Sequence, residues 1–297
     1  MKGRVFALVA LAVLEIVAEE KSPASGCKEV LRSSSDAVIY FDSTQRDRGG
    51  DRELDRRIKE KFGGLKAAGT DGDASEDPLA KPFLLGANVD LTSRNPLKFM
   101  ADGRLKCADV ATITNYVSAL DRIGADSGGS RLALALGEAK NGECPFDLLY
   151  GLPKRMPRAG AGESLEFAHA LASMKAGDPL FFVVFCGRRF APLAKTRDLM
   201  RFLFTAEVVA FRCSIDGKLV RFDVRIAFVD EEAAIESEAS VEKLINQCAG
   251  GALDGAFRDF KVKREGTVVS CSFVADNAKF WGLDEVRKND GQKPVAQ

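Results

Sequence analysis

The sequence predicts an α+β protein of two similar modules, each an antiparallel sheet covered by helices, with element order β-α-ββ-α-ββ. Three observations carry that expectation. Phe222, Val224, Ile226 and Phe228 alternate with Asp223, Arg225 and Ala227, the period of a strand with one face in water. Leu180 to Phe185 is an unbroken apolar run, as suits a strand buried on both faces. Val241, Leu244, Ile245 and Cys248 recur at helical spacing between the two hairpins of the C-terminal part.

The elements follow in order along the chain. Residues 1–18 combine Lys2 and Arg4 with an apolar run from Val5 to Leu14 and a small residue at Ala18, the three parts of a secretory signal peptide. Glu15, Glu19 and Glu20 end that run short of the roughly 20 residues a membrane span needs. Ala24-Ser25-Gly26-Cys27 ends like a lipoprotein cleavage box, but it lacks the leading Leu and charged residues separate it from the apolar run. The N-terminal module then occupies residues 28–177. It begins with a strand over Ala37 to Phe41, followed by a charged helix carrying Leu54, Ile58 and Phe62. A Gly- and Asp-rich loop fills 64–82, Phe83 to Leu91 forms a strand, and Lys98 to Cys107 forms another around Asp102-Gly103. Asp109 caps a helix with Ile113, Tyr116, Val117, Leu120 and Ile123 on one side, and Leu132 to Leu136 closes the module as a strand.

A linker covers 151–162, and Ser164 starts a helix to Lys175 with Leu165, Ala168, Leu171 and Ala172 inward. The C-terminal module spans 178–287. After the apolar strand comes a helix over 192–205, with Leu193, Met200, Leu203 and Phe204 inward. A hairpin turns at Asp216-Gly217, the stripe from Val241 to Cys248 forms a helix, and a second hairpin turns at Glu265-Gly266. Residues 288–297 hold no core pattern and are expected to be disordered.

Composition excludes several function classes. The chain of 297 residues balances 43 Lys plus Arg against 43 Asp plus Glu, so it lacks the basic excess of a nucleic-acid binder. Its apolar share of 46% suits a packed globule rather than a disordered chain. A single histidine, His169, cannot supply a His-pair metal site. The acidic run from Asp71 to Asp77 has Glu76 where a calcium loop needs Gly, and Pro82 where it needs a bidentate Glu. Neither a phosphate-cradling loop nor a dinucleotide fingerprint occurs. No cofactor is expected, nor any stable membrane span after removal of the signal.

Cysteine supplies the remaining candidates. Seven thiols cannot all pair within one chain. Cys213, Cys248 and Cys271 fall on core-facing positions, and a disulfide between Cys213 and Cys271 is expected if their strands are neighbours. Cys186-Gly187-Arg188-Arg189 ends a strand before a helix, where Cys186 would be a catalytic thiolate and Arg188 and Arg189 its anion binders. Position 192 is Pro, so the Cys-x5-Arg phosphatase loop does not fit.

The chain carries Asp36-Ala37-Val38-Ile39-Tyr40-Phe41 near its expected mature start, Asp102-Gly103-Arg104-Leu105-Lys106 before a helix, and Phe146-Asp147-Leu148-Leu149-Tyr150-Gly151. In these it resembles uncharacterised exported bacterial proteins built of repeated α+β modules. That resemblance implies the fold class and export, and it brings no activity, cofactor or site residue. The expectation from sequence is an exported, non-enzymatic binding or structural protein for an unknown protein or small-molecule ligand, with a thiol-dependent enzyme at Cys186 as the alternative.

Overall fold

The computed structural model describes residues 26–42, 44–45, 83–92, 98–107, 132–140, 142–152, 164–192, 198–216, 218–250 and 257–276. The signal segment 1–18, the helices expected over 54–62 and 109–123, the acidic run 71–77, most of the 151–162 linker and the tail 288–297 lie outside them.

Ten strands are present among the described residues: β1 (Ala37–Asp42), β2 (Phe83–Leu91), β3 (Phe99–Cys107), β4 (Leu132–Leu136), β5 (Glu143–Tyr150), β6 (Phe181–Cys186), β7 (Ala206–Asp216), β8 (Leu219–Phe228), β9 (Phe257–Glu265) and β10 (Val268–Asp276). Three α-helices accompany them among the described residues: α1 (Leu165–Lys175), α2 (Gly187–Phe190) and α3 (Glu231–Gly250). A 3₁₀ helix covers Asp198–Phe204.

The strands form one antiparallel sheet in the order β4-β5-β3-β2-β1-β6-β7-β8-β10-β9. The expected pair of separate modules, each a sheet roofed by helices, is therefore corrected. β1 pairs with β6 from Ala37 opposite Phe185 to Phe41 opposite Phe181, so the sheet runs straight across the boundary placed at 177/178. The physical reason lies in those two strands. Val38, Tyr40, Phe182 and Val184 are at most 1% exposed on one face, and Phe41 and Phe181 are buried on the other, so both faces of each strand are buried. A strand buried on both faces cannot serve as an edge, because its free N–H and C=O groups would have no water to bond. Each satisfies the other.

The pairing registers sort side chains onto two faces. Val38, Tyr40, Phe182, Val184, Val208 and Ala210 lie on the first, where Phe167, Ala170, Leu171 and Met174 of α1 pack over them. The N-terminal segment 26–35 continues that layer across β2 and β3. Asn88, 1% exposed, accepts from the Arg32 amide (2.8 Å) and donates to the Val30 carbonyl (2.9 Å). Arg32 Nη2 meets Asp102 Oδ1 at 2.7 Å, and Lys175 of α1 donates to the Leu31 carbonyl. Gly86 makes room for this segment: a Cβ there would stand 1.9 Å from the Cys27 carbonyl oxygen. Cys27 itself is fully buried, its Sγ 3.9 Å from the Leu84 carbonyl oxygen.

The second face is apolar from β5 to β9. At one end α2, the 3₁₀ helix and α3 cover Val209, Ile226 and Val269 through Ala191, Phe202, Leu203, Ala234 and Val241. At the other, Phe41, Phe181, Phe211, Phe222 and Phe273 form a cluster whose members are strand residues and Leu180. Its rings follow one another, Phe211 and Phe222 at 5.8 Å, Phe222 and Phe273 at 4.8 Å. Offset and tilted contacts of this kind contribute about 0.5–1.5 kcal/mol each beyond area burial.

Several local expectations are also adjusted. The strand expected over Lys98 to Cys107 runs from Phe99 to Cys107 as β3, with Asp102-Gly103 at its middle, bonded by β2 and β5 on both sides. The buried stripe of α1 is Phe167, Ala170, Leu171 and Met174, while Leu165 is 71% exposed. The stripe on Phe167 and Met174 brings more apolar surface to the sheet than one on Ala168 and Ala172. Of the helix expected over 192–205, residues 193–197 lie outside the described ones and 198–204 form the 3₁₀ helix, in which Phe202 is buried with Leu203 while Phe204 faces out. Helix α3 starts ten residues before Val241, capped by the Asp230 carboxylate, which accepts from the Ala233 amide at 2.8 Å.

Candidate functional site

The Cys186-Gly187-Arg188-Arg189 stretch sits where the sequence places it, at the end of β6 and the start of α2, but its groups are committed to structure. Helix α2 is a single turn. Arg189 forks onto Asp36, Nε to Oδ1 at 2.8 Å and Nη2 to Oδ2 at 3.0 Å, and also donates to the Leu91 carbonyl. Asp36 is fully buried and accepts the Leu91 amide at 2.8 Å, while its own carbonyl accepts from the Cys186 amide. The clamp thus ties the start of β1, the end of β2 and the start of α2. Hydrogen bonding to Asp36 raises the Arg189 pKa further. Burial pushes the Cys186 thiol up, and the Asp36 charge adds to that; the Arg189 amide and guanidinium oppose it and lose. A thiol held protonated, with its arginine bound to a carboxylate, is a poor nucleophile. Arg188 is exposed and does not join the clamp.

The other thiols are farther from chemistry. Cys213 and Cys271 are both free and 3% exposed. The expected disulfide between them is corrected by topology: Cys213 pairs with Phe222 and Cys271 with Val224, so β8 lies between their strands. Two strand spacings of about 4.8 Å put the Cα atoms beyond the roughly 7 Å limit for a bond. Burial, with the Asp223 charge second, raises both thiols, Cys271 to about 11. The side chain of Cys248 lies outside the described residues, and His169 is an exposed residue of α1. Among the described residues no group of three or more His, Cys, Asp and Glu is arranged to hold a metal ion.

A cleft opens instead at the far end of the sheet. It encloses about 540 Å³ and is lined by Gly26, Arg104, Glu138, Lys140, Glu143 and Pro145. The β4–β5 hairpin builds one wall. Lys140 and Glu143 exchange both main-chain hydrogen bonds, 2.8 and 3.0 Å, and Gly142 between them takes φ +77°. Glycine adopts that positive φ without steric cost. Segment 26–35 supplies the opposite wall, and β3 the floor through Arg104. Glu143 joins the three: Oε1 accepts the Gly26 amide at 2.9 Å, and Oε2 accepts Arg104 Nη1 at 3.3 Å. Lys140 and Glu138, 77% and 84% exposed at their side chains, stand 4.0 Å apart at the rim.

The cleft therefore offers two charges held by hydrogen bonds to the fold and two exposed ones at its rim. These charges can bind a ligand by charge complementarity. None of its residues was a candidate from sequence. The signal that points to it is Asn141-Gly142 between two apolar stretches, which marks the hairpin and with it β5.

No family model matches the chain, and no curated protein is similar to it in sequence. Solved structures with some likeness include three crystal forms of TP0453. Form I is 10% identical with a TM-score of 0.38 and covers 90% of this chain and 99% of its own. Form III is 10% identical with a TM-score of 0.37, over 90% and 100%. Form IV is 9% identical with a TM-score of 0.36, over 88% and 99%. Likeness at that level lends neither fold nor function to this chain. Among the described residues no helix is long and apolar enough to cross a membrane.

Proposed function

We propose that this chain is an exported, non-enzymatic binding protein that takes a small polar ligand bearing both charges in the cleft between Gly26 and the β4–β5 hairpin. The observation that carries the reading is the mixed-charge lining of Arg104, Glu143, Lys140 and Glu138 around about 540 Å³, within the range of small-molecule sites. The signal-like pattern of residues 1–18 supports export. Against the thiol enzyme stands the commitment of Arg189 to Asp36.

A titration of the isotope-labelled protein with lysine, glutamate and the dipeptide Lys-Glu, followed by amide NMR, tests this. Shifts centred on Gly26 and Gly142 and weakened in Arg104→Ala are expected. Binding that maps elsewhere, that survives Arg104→Ala unchanged, or that is absent at about 1 mM for every probe refutes it. Secreted material beginning at Glu19 is the expected sign of export.

A further inference from the structure

The two ends of the sheet are built differently. Edge strand β9 carries Arg258, Lys261, Lys263 and Arg264 against Asp259 and Glu265. Its ladder with β10 slips between Ser272 and Val274, and Asp259 adopts φ 58°. Lysines and irregularity of this kind keep a free edge from pairing with another chain. Edge strand β4 has none of these guards. It reads Leu132-Ala133-Leu134-Ala135-Leu136, with Ala133 and Ala135 exposed and Leu134 and Leu136 half-buried. Among the described strands, β5 is its sole partner.

The direction of its free hydrogen-bonding groups follows from the ladder. The Gly137 amide donates to the Pro145 carbonyl at 2.8 Å, in the register that pairs Leu136 with Phe146 and Ala135 with Asp147. Residues bonding toward one neighbour alternate with residues bonding away from it. Ala135 and Ala133 therefore bond inward with Gly137, and the main-chain groups of Leu132, Leu134 and Leu136 point out. The five residues also read the same in both directions. An antiparallel pairing with a second copy about a two-fold axis at Leu134 sets Leu134 against the partner's Leu134, Ala133 against the partner's Ala135, and Leu132 against the partner's Leu136. In that register the outward groups meet one another, giving six main-chain hydrogen bonds.

We infer that β4 is a self-association edge through which two copies join their sheets into one. A five-residue ladder buries less than the roughly 1,200 Å² of a stable complex, so the dimer is weak and concentration-dependent. On the two-fold axis the residue-134 side chains are neighbours, and like charges there repel while opposite charges attract.

Sedimentation velocity of the full chain between about 5 and about 500 µM tests this. The wild-type chain is expected to shift toward dimer with concentration. Leu134→Lys and Leu134→Glu are each expected to stay monomeric with unchanged circular dichroism, and an equimolar mixture of the two to recover the dimer. Leu134→Cys, which preserves the apolar edge, is expected to form a covalent dimer on mild oxidation where the wild-type chain does not. A wild-type monomer at about 500 µM, a Leu134→Lys variant that still dimerises, a mixture that stays monomeric, or association abolished by Lys263→Glu on β9 would each overturn the inference. If the charged variants fail to fold, the Leu134→Cys cross-link decides alone.

Discussion

At the scale of single residues, the Asp36–Arg189 clamp governs how the Cys186 region behaves. Asp36 is fully buried and Arg189 about a quarter exposed. Removing one partner of such a pair leaves an uncompensated charge and costs about 3–5 kcal/mol. Arg189→Ala and Asp36→Ala are each expected to lower the unfolding free energy from denaturant titration by that order, and the double variant by less than their sum. Arg188→Ala should be close to neutral, since Arg188 is exposed. Equal effects of Arg188→Ala and Arg189→Ala would remove the clamp from the account.

The buried thiols make a second prediction at this scale. Burial lifts Cys271 from its ordinary 9.0 to about 11, and Cys213 is raised as well. The Tyr40 phenol is also raised, by burial first and by Asp42 second. These groups stay protonated in the folded chain at pH values where an unfolded chain has lost the proton. Their contribution to stability is whole below about pH 9 and falls as pH rises toward 11, by up to about 1.4 kcal/mol per pH unit for each group. Calorimetry is expected to show Tm dropping between pH 9 and 11, with a shallower drop in Cys271→Ala. A flat Tm over that interval would contradict the burial of these thiols.

At the scale of elements, legibility depended on how much of the signal was local. The hairpin of β7 and β8 shows in strict alternation, and β6 shows as an apolar run, because each needs only its own residues. The face of α1 was harder. Leu165, Ala168, Leu171 and Ala172 fit helical spacing as well as Phe167, Ala170, Leu171 and Met174 do, and the choice was made by the sheet underneath. Phe167 and Met174 fill the space over Val38, Tyr40 and Phe182. Asp102-Gly103, a dipeptide that often turns, lies mid-strand as expected, because a neighbour bonds it on either side. The cleft was illegible because Gly26, Arg104 and Glu143 come from three elements brought together by cross-strand pairing.

At the scale of the molecule, the seam between β1 and β6 makes one body of the two halves. Read outward from it, the strands run β1-β2-β3-β5-β4 on one side and β6-β7-β8-β10-β9 on the other, the same order in each. A cut at 177/178 would expose two strands that are apolar on both faces. The whole chain is therefore expected to unfold in a single calorimetric transition, and separately produced chains 28–177 and 178–287 to aggregate or remain unfolded. Two resolved transitions, or a soluble folded half, would show that the seam is weaker than its burial implies.

Alternation and apolar runs by themselves determined where most described strands and helices lie, since strand and helix periods are properties of a few consecutive residues. Which strands are neighbours was decided only by tertiary structure. Ala37–Phe41 must find Phe181–Phe185 across the intervening chain, and nothing in either segment names the other. Burial on both faces says that a strand needs two neighbours, and the closing of the whole sheet determines which. The free thiols, the engaged arginine and the charged cleft all follow from that choice.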